Sequence, residues 1–120
     1  MRFLVLLAEE DAAAWEDATE AERAAVFEKH YAFDKAVKER GSMVSGEALA
    51  GVDTARTLRL ADGRRVVTEG PYAETVEQLG GFYLIDAADL DTALDLCGIL
   101  PEGYTIEVRA AVDMEDYDPA

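Results

Sequence analysis

His30 is the only histidine of the chain, and Asp34 follows it four residues on. In a helix that spacing sets a carboxylate beside an imidazole, where it holds one ring tautomer and raises the basicity that a general base needs. The plainer reading is a histidine that fills a helix face and hydrogen-bonds Asp34 for stability, because structural pairs shift proton affinity as catalytic ones do. Arg23 lies two turns earlier on nearly the same face, and its planar fork suits a substrate carboxylate beside the pair. Its alternative is an exposed partnership with Glu20 or Glu22, an arrangement worth little energy.

A second candidate is the loop Glu69-Gly70-Pro71-Tyr72 with Glu74. It joins a backbone stiffened by Gly and Pro to two carboxylates and a phenol, and loops held by a scaffold carry function. Alternatively, Gly-Pro only sets the turn into the next strand. Cys97 sits among apolar residues with no histidine near it in sequence, which reads as a buried, inert thiol. One His and one Cys do not make zinc-type spacing, and the carboxylates show no calcium-loop pattern. There is no phosphate-cradling glycine loop and no nucleophile elbow, and Gly80-Gly81 reads as close strand packing. The expectation is a site without metal or cofactor.

Elements that position these residues follow from the patterning. Arg2 to Ala8 is a continuous apolar run suited to a strand buried on both faces. Thr19 and Glu22 form a capping box that starts a helix running to about Arg40, with Gly41 expected as its left-handed C-terminal cap. On it, Val26, His30, Phe33 and Val37 share one stripe, which turns the histidine toward the sheet. Met43 to Leu49 is a strand weakened by Gly46, and Thr54 to Leu60 a third strand. Asp62-Gly63 is a tight turn, and Arg64 to Thr68 returns antiparallel. Gly80 to Ile85 is a further strand. A second helix behind Asp89 carries Leu90, Ala93, Leu94 and Cys97 at helical spacing and is ended by Pro101 and Gly103. Ile106, Val108, Ala110 and Val112 alternate in a closing strand, and the tail from Asp113 to Ala120 is expected to fray.

This order predicts an α+β fold: a ferredoxin-like split βαβ with an inserted β-hairpin and helices on one sheet face. The bare apolar face predicts a homodimer with sheets paired face to face. The 120 residues, half of them hydrophobic, suffice for one domain over 1–112 plus an acidic tail over 113–120. A formal net charge of −15 repels phosphate backbones and anionic membranes, so neither nucleic acid nor membrane is an expected partner. The single cysteine forms no internal disulfide, and Met1 to Ala8 is too short for a signal peptide or a span, which points to the cytoplasm.

The segment from Val67 to Ile85, with Glu69-Gly70-Pro71-Tyr72-Ala73-Glu74-Thr75-Val76-Glu77-Gln78-Leu79-Gly80-Gly81 at its centre, resembles the signature of the DGPF branch of the YCII-related family. Trp15, Gly46-Glu47-Ala48-Leu49, Asp89-Leu90-Asp91 and Ile106-Glu107-Val108-Arg109 agree with that family as well. Glu69 replaces the family's Asp, Tyr72 its Phe and Val76 its Lys. The resemblance implies a dimeric α/β barrel and a family whose activity is largely unassigned. It also implies a suspected acid–base histidine, matched by His30 eleven residues before Gly41, and an association with extracytoplasmic-function sigma factors. Two functions are therefore expected: a small-ligand-binding or regulatory dimer with a sigma factor or other transcription protein as partner, or a cofactor-free enzyme. In the second, His30 is the base, Asp34 orients it, and Arg23 or Tyr72 contacts a small acid or lactone.

Overall fold

The computed structural model describes residues 1–11 and 13–116. In chain order the elements are β1 (Arg2–Glu9), α1 (Ala13–Asp17), α2 (Glu20–Arg40), β2 (Gly41–Ala48), β3 (Arg56–Ala61), β4 (Arg64–Glu69), β5 (Gln78–Ala87), α3 (Leu90–Cys97) and β6 (Tyr104–Ala110). Single 3₁₀ turns occupy Val52–Thr54 and Met114–Asp116. The expected fraying of the tail concerns a segment whose last residues, 117–120, lie outside the described ones.

Four strands form one antiparallel sheet in the order β2-β5-β1-β6, and β3 and β4 pair only with each other. Strand β5 separates β1 from β2, and β1 separates β5 from β6, so each βαβ unit carries a strand of the other between its own. That interleaving is the split βαβ of ferredoxin-like folds. Period-2 geometry sends Phe3, Val5 and Leu7 of β1, with Ile85 and Ala87 of β5, to the face where Phe33 and Val37 of α2 and Ala93, Leu96 and Cys97 of α3 close the core. The opposite face presents Leu4, Leu6, Phe82 and Leu84, all partly exposed.

Local signals act as their chemistry demands. Thr19 accepts from the Glu22 N–H at 3.1 Å while the Glu22 side chain accepts from the Thr19 N–H at 3.0 Å, completing the capping box. Asp89 caps α3 by accepting from the Thr92 N–H at 2.8 Å. Asp62 and Gly63 take φ of 51° and 77°, the left-handed pair of a two-residue hairpin turn.

Two expectations need correction, and one helix was not anticipated. Gly41 is not a left-handed cap: its φ of 178° is extended backbone, and it opens β2 directly. A Cβ there would lie 2.0 Å from the Asp86 carbonyl oxygen, so glycine is required by the approach of β5. On α3 the buried stripe is Ala93, Leu96 and Cys97, continued by Leu100, while Leu90 and Leu94 stay exposed, because the short helix docks through its C-terminal end. The acidic stretch before α2 holds a short helix, α1, that its composition did not reveal. Among the described residues no helix is long and apolar enough to cross a membrane.

A candidate site around His30

Helix α2 presents Val26, His30, Phe33 and Val37 to the sheet, as the stripe requires, with Phe33 and Val37 fully buried. His30 then meets two tyrosines from strands flanking β1. Its Nδ1 lies 2.6 Å from the Tyr83 hydroxyl on β5, and its Nε2 lies 3.2 Å from the Tyr104 hydroxyl on β6. Burial pushes the His30 pKa down, which favours the neutral ring. A neutral imidazole has one donor and one acceptor, so one tyrosine O–H donates to the ring while the other hydroxyl oxygen accepts from it.

The hydroxyls are held protonated as well. Burial, followed by the proximity of Tyr104 and Asp34, pushes Tyr83 up; burial and then the Glu9 charge push Tyr104 up. Glu9, at the end of β1 and beside Tyr104 in register, is itself raised by burial. Two glycines make room for these groups. A Cβ on Gly46 would sit 2.5 Å from the Tyr83 ring, and one on Gly80 would sit 2.2 Å from a Glu9 carboxylate oxygen.

A cleft of about 470 Å³ opens over this cluster. Trp15 and Phe27 form one wall, edge to face at 5.4 Å, and Glu9, opposite Tyr104 in register, contributes a carboxylate. Among the described residues no lysine or arginine lines it. Chemically, the cluster can give and take a hydrogen bond at a hydroxyl, accept a proton on a neutral ring, and surround an apolar body with aromatic faces.

Residues singled out in the sequence fall in three places. Asp34 does not hold His30, whose two nitrogens are both engaged by tyrosines; its Oδ2 instead accepts from Lys38 Nζ at 2.8 Å, one turn further along α2. Its charge reaches the cluster only through Tyr83. Arg23 does not face a substrate position, and it pairs with neither Glu20 nor Glu22. Its guanidinium donates to the Trp15 carbonyl at 3.0 and 2.8 Å and to the Glu16 carbonyl at 3.1 Å, and lies 5.2 Å from the Trp15 ring centroid. It thereby ties the C-terminal end of α1 to α2 and positions the tryptophan wall.

The loop Glu69, Gly70, Pro71, Tyr72 and Glu74 is a separate feature. Gly70 has φ of 93°, donates to the Ala55 carbonyl at 2.9 Å and accepts from Thr57 Oγ1 at 2.8 Å. Arg59 Nη2 fixes the Tyr72 carbonyl at 2.6 Å, leaving the phenol 81% exposed. Pro71 and Tyr72 line a second hollow, away from His30, while Glu69 and Glu74 point to solvent. Cys97 is buried, and burial pushes its thiol up to about 11. The groups that sequence reasoning missed are Glu9, Tyr83 and Tyr104. Gly46 inside a strand was their available signal, since such a glycine marks the close approach of another group.

A split βαβ sheet with both helices of its repeats on one face, and a cleft between the long helix and the sheet, defines a small ferredoxin-like α+β protein. The chain matches the YCII-related domain over residues 1–114 and belongs to that family. It is also similar to an uncharacterised protein of Rhizobium meliloti (strain 1021), 45% identical over an alignment of 75 positions, with the match covering 59% of this chain and 60% of the relative.

Proposed function

We propose that this protein is a small-ligand-binding dimer whose ligand enters the His30 cleft, and that the ligand is a compact cationic or neutral molecule with an aromatic or apolar body. One observation carries this reading: the cleft joins aromatic walls to the Glu9 carboxylate and has no basic side chain among the described residues. A cation gains there from ring faces and the Glu9 carboxylate together. An anion meets the Glu9 carboxylate within a chain of net charge −15. That balance weighs against the small acid of the enzymatic alternative. The neutral His30 and its two hydroxyls orient a polar group and supply a proton acceptor should the ligand be a substrate.

The dimer is supported by the uncovered face bearing Leu4, Leu6, Phe82 and Leu84, and by the resemblance to the DGPF branch. The regulatory part of the reading takes an extracytoplasmic-function sigma factor as partner. Its support is the same resemblance and the net charge, which draws a basic protein over long range.

Trp15, the only tryptophan, lines the cleft and reports on it. Benzylamine, benzyl alcohol and benzoate share ring and size while differing in charge. Titrated against Trp15 fluorescence, benzylamine is expected to bind most tightly and benzoate least. Glu9→Gln should weaken benzylamine about tenfold and leave benzyl alcohol unchanged. Tighter binding of benzoate, or indifference of benzylamine to Glu9→Gln, would overturn the assignment.

A further inference from the structure

The hairpin of β3 and β4 differs from the rest of the chain in charge. Residues 56–69 hold Arg56, Arg59, Arg64 and Arg65, half of the eight arginines, against Asp62 and Glu69. The hairpin therefore carries +2 and leaves −17 on the remainder of a chain whose total is −15. None of its four arginines forms an ion pair with a carboxylate among the described residues.

It also presents apolar side chains to solvent. The register pairs Leu58 with Val67 and Leu60 with Arg65, which sets Leu58, Leu60 and Val67 on one face. They are 58%, 69% and 61% exposed. A two-stranded hairpin standing alone is at best marginally stable in water, so such a face calls for cover. Its own chain does not supply it. The radius of gyration is 16.8 Å, where a compact chain of this length has about 13–14 Å.

Position singles out the partner. Arg56, Thr57 and Leu58, at the base of the hairpin, line a hollow of about 810 Å³ whose other wall includes Leu6, Ala8 and Glu107 on the uncovered sheet face. The arm thus springs from beside the uncovered apolar face of the sheet. We infer that β3 and β4 form a basic arm that clasps a second copy of this chain, with Leu58, Leu60 and Val67 against the partner's apolar surface and the arginines against its carboxylates. A nucleic acid satisfies the arginines but leaves the three apolar side chains without cover, and the body repels it. The inference rests on the dimer reading and adds the element that closes the dimer.

Sedimentation of the full chain, with hydrogen exchange over residues 56–69, tests it against the sheet-face variant Leu84→Arg. Leu84→Arg is expected to give monomers. Arg64→Glu/Arg65→Glu should weaken the dimer about tenfold at low salt, with the difference shrinking as salt is added. Leu58→Ser/Leu60→Ser should weaken it at both salt levels. The arm amides should exchange slowly in the dimer and fast in the diluted monomer. All four arm positions are exposed, so circular dichroism of the arm variants is expected to be unchanged. A wild-type chain that stays monomeric at every concentration would overturn the arm together with the dimer. A dimer broken by Leu84→Arg, but indifferent to both arm variants and without arm protection, would overturn the arm alone. Arm-dependent binding of a duplex DNA probe in competition with self-association would replace the second copy with nucleic acid.

Discussion

Phe33→Ala is expected to cost about 3–5 kcal/mol of folding stability, the range for removing a buried aromatic ring and leaving a partly collapsed cavity. Phe33 is 0% exposed and packs its ring 4.8 Å from that of Tyr83. The loss is a large share of the roughly 5–15 kcal/mol that holds a domain of this size together. It also removes the support beneath one of the two tyrosines that engage His30. Urea unfolding of wild type and variant measures the cost, and a loss below about 1 kcal/mol would contradict the packing described for α2 on the sheet.

Gly41→Ala is expected to destabilise by about 2–3 kcal/mol, an overpacking cost, because its Cβ would sit 2.0 Å from a backbone oxygen that strand pairing holds in place. Gly41→Asn separates the two possible reasons for a glycine here. Asparagine tolerates a left-handed cap, so a capping role predicts a mild effect. Close approach of β5 predicts that Asn is at least as damaging as Ala. Equal stability of Gly41→Asn and wild type would refute the close-approach explanation.

Much of the fold was legible because its signals are local. The Thr19/Glu22 box, the Asp62-Gly63 turn and the Asp89 cap each satisfy backbone groups within three residues, and the stripe through His30 and Phe33 depends only on helical period. The site was half legible. The His30 ring faces the sheet as its stripe predicts, but its partners stand 53 and 74 residues away, and no spacing rule reaches that far. Asp34 shows why the nearer partner misled. It lies four residues after His30 and four before Lys38, so sequence offers it both. A half-buried imidazole favoured in its neutral form gives a carboxylate less than a full ammonium does, and Lys38 takes it. Arg23 was misread for a related reason, since its acceptors are carbonyls of a short helix that composition did not announce. Gly41 satisfied the rule for a helix end and owed its identity to a strand closer to the other end of the chain.

The central claim is that His30 is a neutral imidazole held by Tyr83 and Tyr104, not a base paired with Asp34. Its sign has a consequence for stability. The folded ring binds its proton at lower pH than the unfolded chain, whose ordinary value is 6.5, so the unfolded state holds more protons below that value. The stability due to His30 is therefore complete above about 6.5 and is lost as pH falls through the folded pKa. Proton NMR titration reads it directly, because a single histidine gives one set of ring signals. The expected result is a His30 pKa below 6.5 that does not move in Asp34→Asn. A pKa above 6.5 that drops in that variant would restore the His30–Asp34 pair and contradict the site described above.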